Sequence, residues 1–402
     1  MRGCSDFPDT SARRSARKRT SNGSSTPSTR SSRTPEFAPE RPANDRPNEN
    51  DWRLLVFRQD PLNTILALGS GFTPTAVRVT ATLRLPDLVE QGHRTAAALA
   101  AETGTDEQSL GRVLHYVSLL GLFEETTDTA TRQRTYELTD VGRVLLGDHP
   151  SNLRRWLDYE DPSRPMEARF EPAVGRLMDA VRTGLPVYEQ AHGRPFWKDL
   201  EAHPDIEKSF NTGIARIADR LVPELARIYD WASVGHVVDV GGGNGSLLLR
   251  LLTEHPALRG TLLELPSVID EAAGVTAPVA DRCALVAGSF FEPVPSGGDV
   301  YLIANTLHNW SDRDAARILG RCSAALAPGG RVVVVERLLD SGKDPVMASY
   351  ADLLMLVLLG GRERSMDDLR DLGAGAGLTL TDARKFELPG HWLVEYTKEE
   401  TR

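Results

Sequence analysis

From Val237 onward the chain alternates short β-branched runs with amphipathic stretches, and this rhythm narrows the possible folds more than any other feature. Val237-Val238-Asp239-Val240 reads as a strand, followed by a glycine-rich turn and a helical Ser246 to His255. Thr261 to Glu264, Cys283 to Ala287, Val300 to Ala304 and Arg331 to Glu336 read as four further strands, with helical stretches between most of them. Strands alternating with helices imply an α/β domain with a mostly parallel, doubly wound, Rossmann-like sheet. Ligands of such sheets sit at the carboxyl ends of the strands, near the topological switch point.

The N-terminal half has a different character. Residues 1–49 are dominated by Ser, Thr, Arg and Pro and cannot bury enough surface to offset their ordering entropy, so a disordered tail is expected. Its basic run, Arg13 to Arg19, lacks the apolar core of a secretory signal. Order is expected from near Trp52. Leu62, Ile65, Leu66, Leu68 and Phe72 recur at helical spacing, and Ala76 to Leu88 continues the pattern up to Gly92. A Thr-capped helix starts at Thr95, and a second runs from about Asp106 to Leu120. Gly121–Glu125 and Thr135–Thr139 then alternate like the strands of a β-wing. Helix, turn, helix and hairpin make a winged helix. A DNA-binding role would require a basic second helix, but Glu107, Gln108, Ser109, Arg112 and His115 do not form one. The expected organisation is a tail over 1–49 and a helical, winged-helix dimerisation domain over 50–150. A helical linker that helps build an acceptor pocket follows over 151–232, then a cofactor-binding catalytic domain over 233–402.

A chain of 402 residues is long for one core, and its net charge of −9 gives no nucleic-acid footprint. Three scattered cysteines, Cys4, Cys283 and Cys322, form neither a disulfide framework nor a metal cluster, which points to a reducing, cytoplasmic setting. No apolar run approaches the roughly 18 residues of a membrane span, so no membrane partner is expected.

Asp239-Val240-Gly241-Gly242-Gly243-Asn244-Gly245 closes the first strand and opens a helix. Glycines there let the backbone turn sharply and approach a ligand that a Cβ would exclude. Dinucleotide binding is the rival reading. An acidic residue directly before the glycines would repel a diphosphate and attract an ammonium or sulfonium, and no P-loop lysine is present. Glu264, at the end of the next strand, is placed to accept hydrogen bonds from two ribose hydroxyls. The pair favours a sulfonium nucleoside.

These pieces, with Phe196-Trp197, Phe210-Asn211, Leu263-Glu264-Leu265-Pro266, Gly288-Ser289-Phe290-Phe291, Leu307-His308-Asn309-Trp310 and Gly360 to Ser365, occur in one order. From about residue 60 to the end the chain resembles the S-adenosyl-L-methionine (SAM)-dependent O-methyltransferases of the caffeic acid type, in their bacterial secondary-metabolite branch. The resemblance implies that Gly241 and Gly243 line the methionine moiety, Glu264 the ribose, and Ser289 and Phe290 the adenine, with Leu265 also counted among the cofactor-binding residues. It also implies a homodimer and a small aromatic acceptor. Ser289 stands where the family usually carries Asp, and Ala304 where many relatives carry Lys.

Methyl transfer to a phenol needs alignment and an oxygen nucleophile. The acceptor pKa is about 10, so a nearby base such as histidine helps to form the phenolate. His308, just past the fourth strand, is the expected base. Glu336, ending the fifth strand, and Glu363, in the loop after an apolar helix, are expected to flank it. Acceptor contacts are expected from Trp156, Phe210, Ile214, Asp352 at the head of that apolar helix, and Met355. No metal is expected, because no His or Cys cluster has ligand spacing. Some relatives from anthracycline pathways have become hydroxylases or decarboxylases on this scaffold. Retention of His308 with both glutamates favours methyl transfer.

Overall fold

The computed structural model describes residues 61–161, 166, 169–340 and 345–398. The expected disordered tail over 1–49 and the start of order near Trp52 lie outside these residues.

The first helices are α1 (Pro61–Gly69), α2 (Phe72–Thr82) and α3 (Leu85–Glu90). The continuous helix read from Ala76 to Leu88 is therefore two. Pro86 disfavours helical backbone in the residue before it and fits the first turn of a new helix, and Arg84 takes a left-handed φ of 53° at the break. Helices α4 (Ala96–Thr103) and α5 (Glu107–Leu119) start on side-chain caps: Thr95 accepts from Ala98 N, and Asp106 from Ser109 N. Strands β1 (Phe123–Thr127) and β2 (Arg134–Leu138) pair antiparallel as the expected wing. Leu85, Leu99, Leu114, Val117, Phe123 and Tyr136 form the core of this region.

Short helices follow: α6 (Asp140–Arg143), α7 (Leu153–Leu157), α8 (Phe170–Val174), α9 (Leu177–Thr183), α10 (Tyr188–His192) and α11 (Phe196–Ala202). The long α12 (Pro204–Ile228) then crosses from this layer to the sheet. Its first half carries Phe210, which packs edge-on against Phe196 and Trp197. Its second half buries Leu221, Val222 and Leu225 in the core of the α/β domain.

That domain contains β3 (His236–Val240), α13 (Ser246–Glu254), β4 (Arg259–Glu264), α14 (Pro266–Thr276), β5 (Cys283–Ala287) and β6 (Val300–Ala304). It continues with α15 (Asp312–Ala325), β7 (Arg331–Arg337), α16 (Pro345–Leu358), α17 (Met366–Gly375), β8 (Leu378–Lys385) and β9 (His391–Lys398). The sheet order is β5-β4-β3-β6-β7-β9-β8. Five strands run parallel as expected. Two more, β8 and β9, were not foreseen, and both of their pairings, β7–β9 and β8–β9, are antiparallel. The chain leaves β3 for β4 and β5 on one side and returns to β6 on the other. The switch point therefore lies between β3 and β6, beside Asp239, whose register partners are Leu262 and Leu302.

On one face, Leu248, Leu251 and Leu252 of α13 are fully buried against the sheet. Each such side chain contributes roughly 1.5–3 kcal/mol by burial, and truncating one to alanine costs about 2–5 kcal/mol. On the other face, α15 buries Ile318, Leu319 and Cys322. Among the described residues no helix is long and apolar enough to cross a membrane.

Candidate active site

A cavity of about 350 Å³ opens at the carboxyl ends of β3, β4, β5 and β6. The glycine-rich turn after β3 forms its floor. Gly241, at φ +73°, has little room for a side chain: a Cβ there would lie 3.0 Å from the Phe290 ring and 3.1 Å from Thr306, close enough to make both shift. Gly243, at φ +58°, would place a Cβ against no protein atom, so its left-handed backbone alone favours glycine. Phe290 is braced from behind by Phe291 and Trp310, with ring centroids 5.1 and 5.6 Å away.

Two carboxylates define the electrostatics. Asp239 is buried, and neither of its carboxylate oxygens has a hydrogen-bond partner among the described residues. Burial, and then the charge of Glu264, push its pKa up to about 7. A buried orphan carboxylate is costly unless something cationic meets it. Glu264 accepts from the amides of Gly243 at 3.1 Å and Leu265 at 2.7 Å, which hold it at the end of β4. Burial raises its pKa, and those amides oppose the rise. A cation-seeking aspartate, a glutamate with lone pairs to spare, a backbone floor without side chains and an aromatic wall fit a sulfonium nucleoside. They do not fit a diphosphate.

Asp239, Gly241, Gly243, Glu264, Leu265, Ser289 and Phe290 all line this cavity, and so do the acceptor candidates Phe210 and Ile214. Ser289 is also engaged locally, its Oγ accepting from Phe291 N at 3.2 Å. Trp156 and Met355 stand outside the lining. Trp156 packs edge-on against Tyr350 of α16, with centroids 5.5 Å apart.

Beside the cavity, the chain after β6 makes a tight turn. Asn305 adopts φ 47°, a conformation asparagine tolerates, and a short 3-10 turn over Leu307–Asn309 follows. Glu336 caps that turn from β7, its Oε1 accepting from Thr306 N at 3.0 Å, Leu307 N at 2.7 Å and His308 N at 3.4 Å. Its Oε2 lies 3.8 Å from His308 Nδ1. Glu363 Oε1 is 3.1 Å from the same nitrogen. The loop that carries Glu363 is buried, although its sequence would suit a solvated surface: Glu363 is 2% exposed.

Burial alone would lower the His308 pKa. The charges of Glu336 and Glu363 outweigh that effect and raise it to about 9. Burial raises the Glu336 pKa, and the imidazolium opposes this. Ligand atoms of His308, Glu336 and Glu363 lie within 4.8 Å of one another, so this trio could also hold a metal ion.

Asp352 corrects its expected place. Helix α16 begins at Pro345, so Asp352 sits within it and not at its head; the apolar run Leu353 to Leu359 had hidden the first turns. Its Oδ1 accepts from Glu363 N at 2.9 Å, so it supports the loop that faces His308. Sequence reading also gave no role to Thr306, Asn309 or Trp310, which line the cavity, or to Arg364, which is buried beside His308. The Leu-His-Asn-Trp and Gly-Arg-Glu-Arg-Ser runs were the available signals.

Comparison with known proteins agrees with this geometry. Residues 175–379 match the O-methyltransferase domain, and residues 67–148 match the O-methyltransferase dimerisation domain. The chain is 40% identical over 319 residues to 2,7-dihydroxy-5-methyl-1-naphthoate 7-O-methyltransferase of Streptomyces carzinostaticus, covering 79% of this chain and 92% of that one. It is also 40% identical over 321 residues to aclacinomycin 10-hydroxylase of Streptomyces purpurascens, covering 79% and 84%. A crystal structure of an O-methyltransferase from neocarzinostatin biosynthesis, in complex with SAM and 2-hydroxy-5-methyl naphthoic acid, superposes with a TM-score of 0.67 at 39% identity. It covers 83% of this chain and 98% of that one. Fold, cavity and matched domains together assign this chain to the O-methyltransferase family, as an S-adenosyl-L-methionine-dependent O-methyltransferase.

Proposed function

We propose that the protein methylates a hydroxyl group of a small aromatic metabolite, with His308 as general base and without a metal. The carrying observation is the contact between His308 Nδ1 and Glu363 Oε1 at 3.1 Å, with Glu336 close behind. It fixes the ring and leaves Nε2 as the nitrogen available to an acceptor hydroxyl. Asp239, Gly241, Gly243, Glu264, Leu265, Ser289 and Phe290 would hold SAM, which supplies a methyl group already activated by its sulfonium. Phe210 and Ile214, with Trp156, Asp352 and Met355 toward α16, would shape or support the acceptor side.

The pKa match supports the role. A phenol of pKa about 10 facing a base of pKa about 9 exchanges its proton at a cost of roughly 1.4 kcal/mol. The resulting imidazolium lies between two carboxylates. Nδ1 serves Glu363 in this arrangement, and a metal bound through that nitrogen would have to displace the contact.

A homodimer fits the surface. Helix α1 buries none of its residues, and Leu62, Ile65, Leu66 and Leu68 on it, with the neighbouring Phe72, are each more than 60% exposed. Such an apolar face on a matched dimerisation domain is a natural site for a second copy.

Incubation with isotope-labelled SAM and a panel of hydroxylated aromatics tests the reading, with products weighed by mass spectrometry. Gain of a labelled methyl group supports it; gain of an oxygen atom would instead place the chain with the hydroxylase relative. His308→Ala should lower turnover by about 10²–10⁴-fold and leave S-adenosyl-homocysteine binding nearly unchanged. A folded variant with near-normal turnover at neutral pH would overturn the base assignment.

A further inference from the structure

We propose that Arg364 is a positioning residue, whose buried guanidinium clamps the backbone on both sides of His308 and so keeps the imidazole in register with both glutamates. The inference rests on the reading of His308 as the base.

Arg364 is 3% exposed. Its Nη1 donates to the carbonyl of Leu307 and its Nη2 to the carbonyl of Trp310, both at 2.8 Å. Nε donates to Asp312 Oδ1 at 3.0 Å. The two carbonyls lie at either end of the short turn that presents His308. One planar fork thus ties the entry and exit of that turn to each other and to the first residue of α15. A lysine at this position would be a single point donor and could not span both carbonyls and a carboxylate.

The rest of the loop presses on the same turn. A Cβ at Gly361 would overlap the backbone carbonyl of His308 and the carbonyl carbon of Asn309, so the loop lies directly against the turn. Glu363, the residue before Arg364, holds the imidazole. The loop backbone is itself anchored: Glu363 N donates to Asp352, and Leu339 N, just past β7, donates to the Arg364 carbonyl. Side chain and main chain of His308 are therefore held by neighbouring residues of one segment, and a shift of that segment would move both.

Charge supports the arrangement. The Arg364 guanidinium and a protonated His308 set two positive charges beside the buried carboxyl groups of Glu336 and Glu363. Proton transfer in methyl transfer requires the base to stay within hydrogen-bond reach of the acceptor, and displacement by about 1 Å costs roughly 10²-fold in rate.

The test compares wild type with Arg364→Lys and Arg364→Gln. Both variants should bind S-adenosyl-homocysteine within about 3-fold of wild type while kcat falls by roughly 10–100-fold. Amide hydrogen exchange in a peptide covering 305–311 should accelerate, with β3 and β4 unchanged. Arg364→Lys should fail to restore kcat, because it restores the charge but not the fork. Asp312→Asn changes a half-exposed partner of the same guanidinium and covers the case in which Arg364 variants do not fold. It should give the same pattern at smaller size. Normal kcat per folded enzyme with unaltered exchange at 305–311, in the Arg364 variants or, where those unfold, in Asp312→Asn, would overturn the clamp. The base reading fails separately: near-normal turnover of His308→Ala would refute it and leave the exchange result standing.

Discussion

Replacing Glu363 by glutamine isolates one charge in the His308 cluster. The amide has nearly the same shape and keeps an acceptor for Nδ1, so the ring need not turn. A hydrogen bond to a charged group is worth roughly 1.5–3 kcal/mol, and one pKa unit corresponds to 1.36 kcal/mol, so losing this charge should lower the His308 pKa by roughly 1–2 units. The wild-type value of about 9 would fall toward about 7–8. The base works unprotonated, so the rate must rise with pH through this pKa. The rising limb of kcat should therefore move to lower pH, and the plateau above it should drop because a weaker base takes the acceptor proton less readily. Single-turnover rates at saturating cofactor and acceptor, measured from about pH 6 to pH 10, give the limb. Titration of the 13C-labelled imidazole by NMR separates it from ionisation of the acceptor. A folded Glu363→Gln enzyme whose imidazole pKa does not fall would refute the argument that this carboxylate sustains the basicity of His308.

The other predictions are shorter. Gly243→Ala should cost about 1–2 kcal/mol for a side chain on left-handed backbone and still fold, since its Cβ meets no protein atom, yet weaken S-adenosyl-homocysteine binding at least about tenfold by calorimetry; unchanged affinity would reassign the turn. The Asp239 pKa of about 7 should fall when a cationic ligand binds, so SAM affinity should rise with pH through about 7 and binding should release protons, read as a buffer-dependent heat. Because the folded pKa of His308 lies above its ordinary 6.5, its stabilising contribution is full below about 6.5 and lost as pH rises through about 9. The melting-temperature gap between wild type and His308→Asn should narrow over that window. Ile65→Asp with Leu66→Asp should convert a dimer to monomer by light scattering, with the catalytic domain still folded.

The legible parts of this chain were those in which local chemistry and tertiary structure agree. Val332 to Val335 reads as a buried parallel strand because every side chain is apolar, and it is one. Strand β8 escaped notice because Thr381 and Asp382 fall together and break the alternation begun at Leu378, at the point where its ladder with β9 shifts register; β9, with Trp392, Leu393, Val394 and Tyr396, carries a strand pattern of its own and joins the sheet by pairing with β7. In the site, Asp239 and Glu264 were marked by their places at strand ends. Arg364 was not, because a charged residue in a loop signals solvent until the fold buries it. The break at Arg84 could be read from Pro86 after the fact, since hydrophobic periodicity runs on through the break.

The position of β9 also governs the order in which the enzyme can become active during synthesis. Strand β7 carries Glu336, and one of its two neighbours is β9, the last strand in chain order among the described residues. Until residues 391–398 leave the ribosome, one flank of β7 remains an open sheet edge, able to recruit strands from other nascent chains. A truncation that removes β9 therefore strips away more than a peripheral strand. It opens one edge of the strand that caps the His308 turn, and the expected product is an aggregating chain, not a soluble enzyme with a shortened sheet.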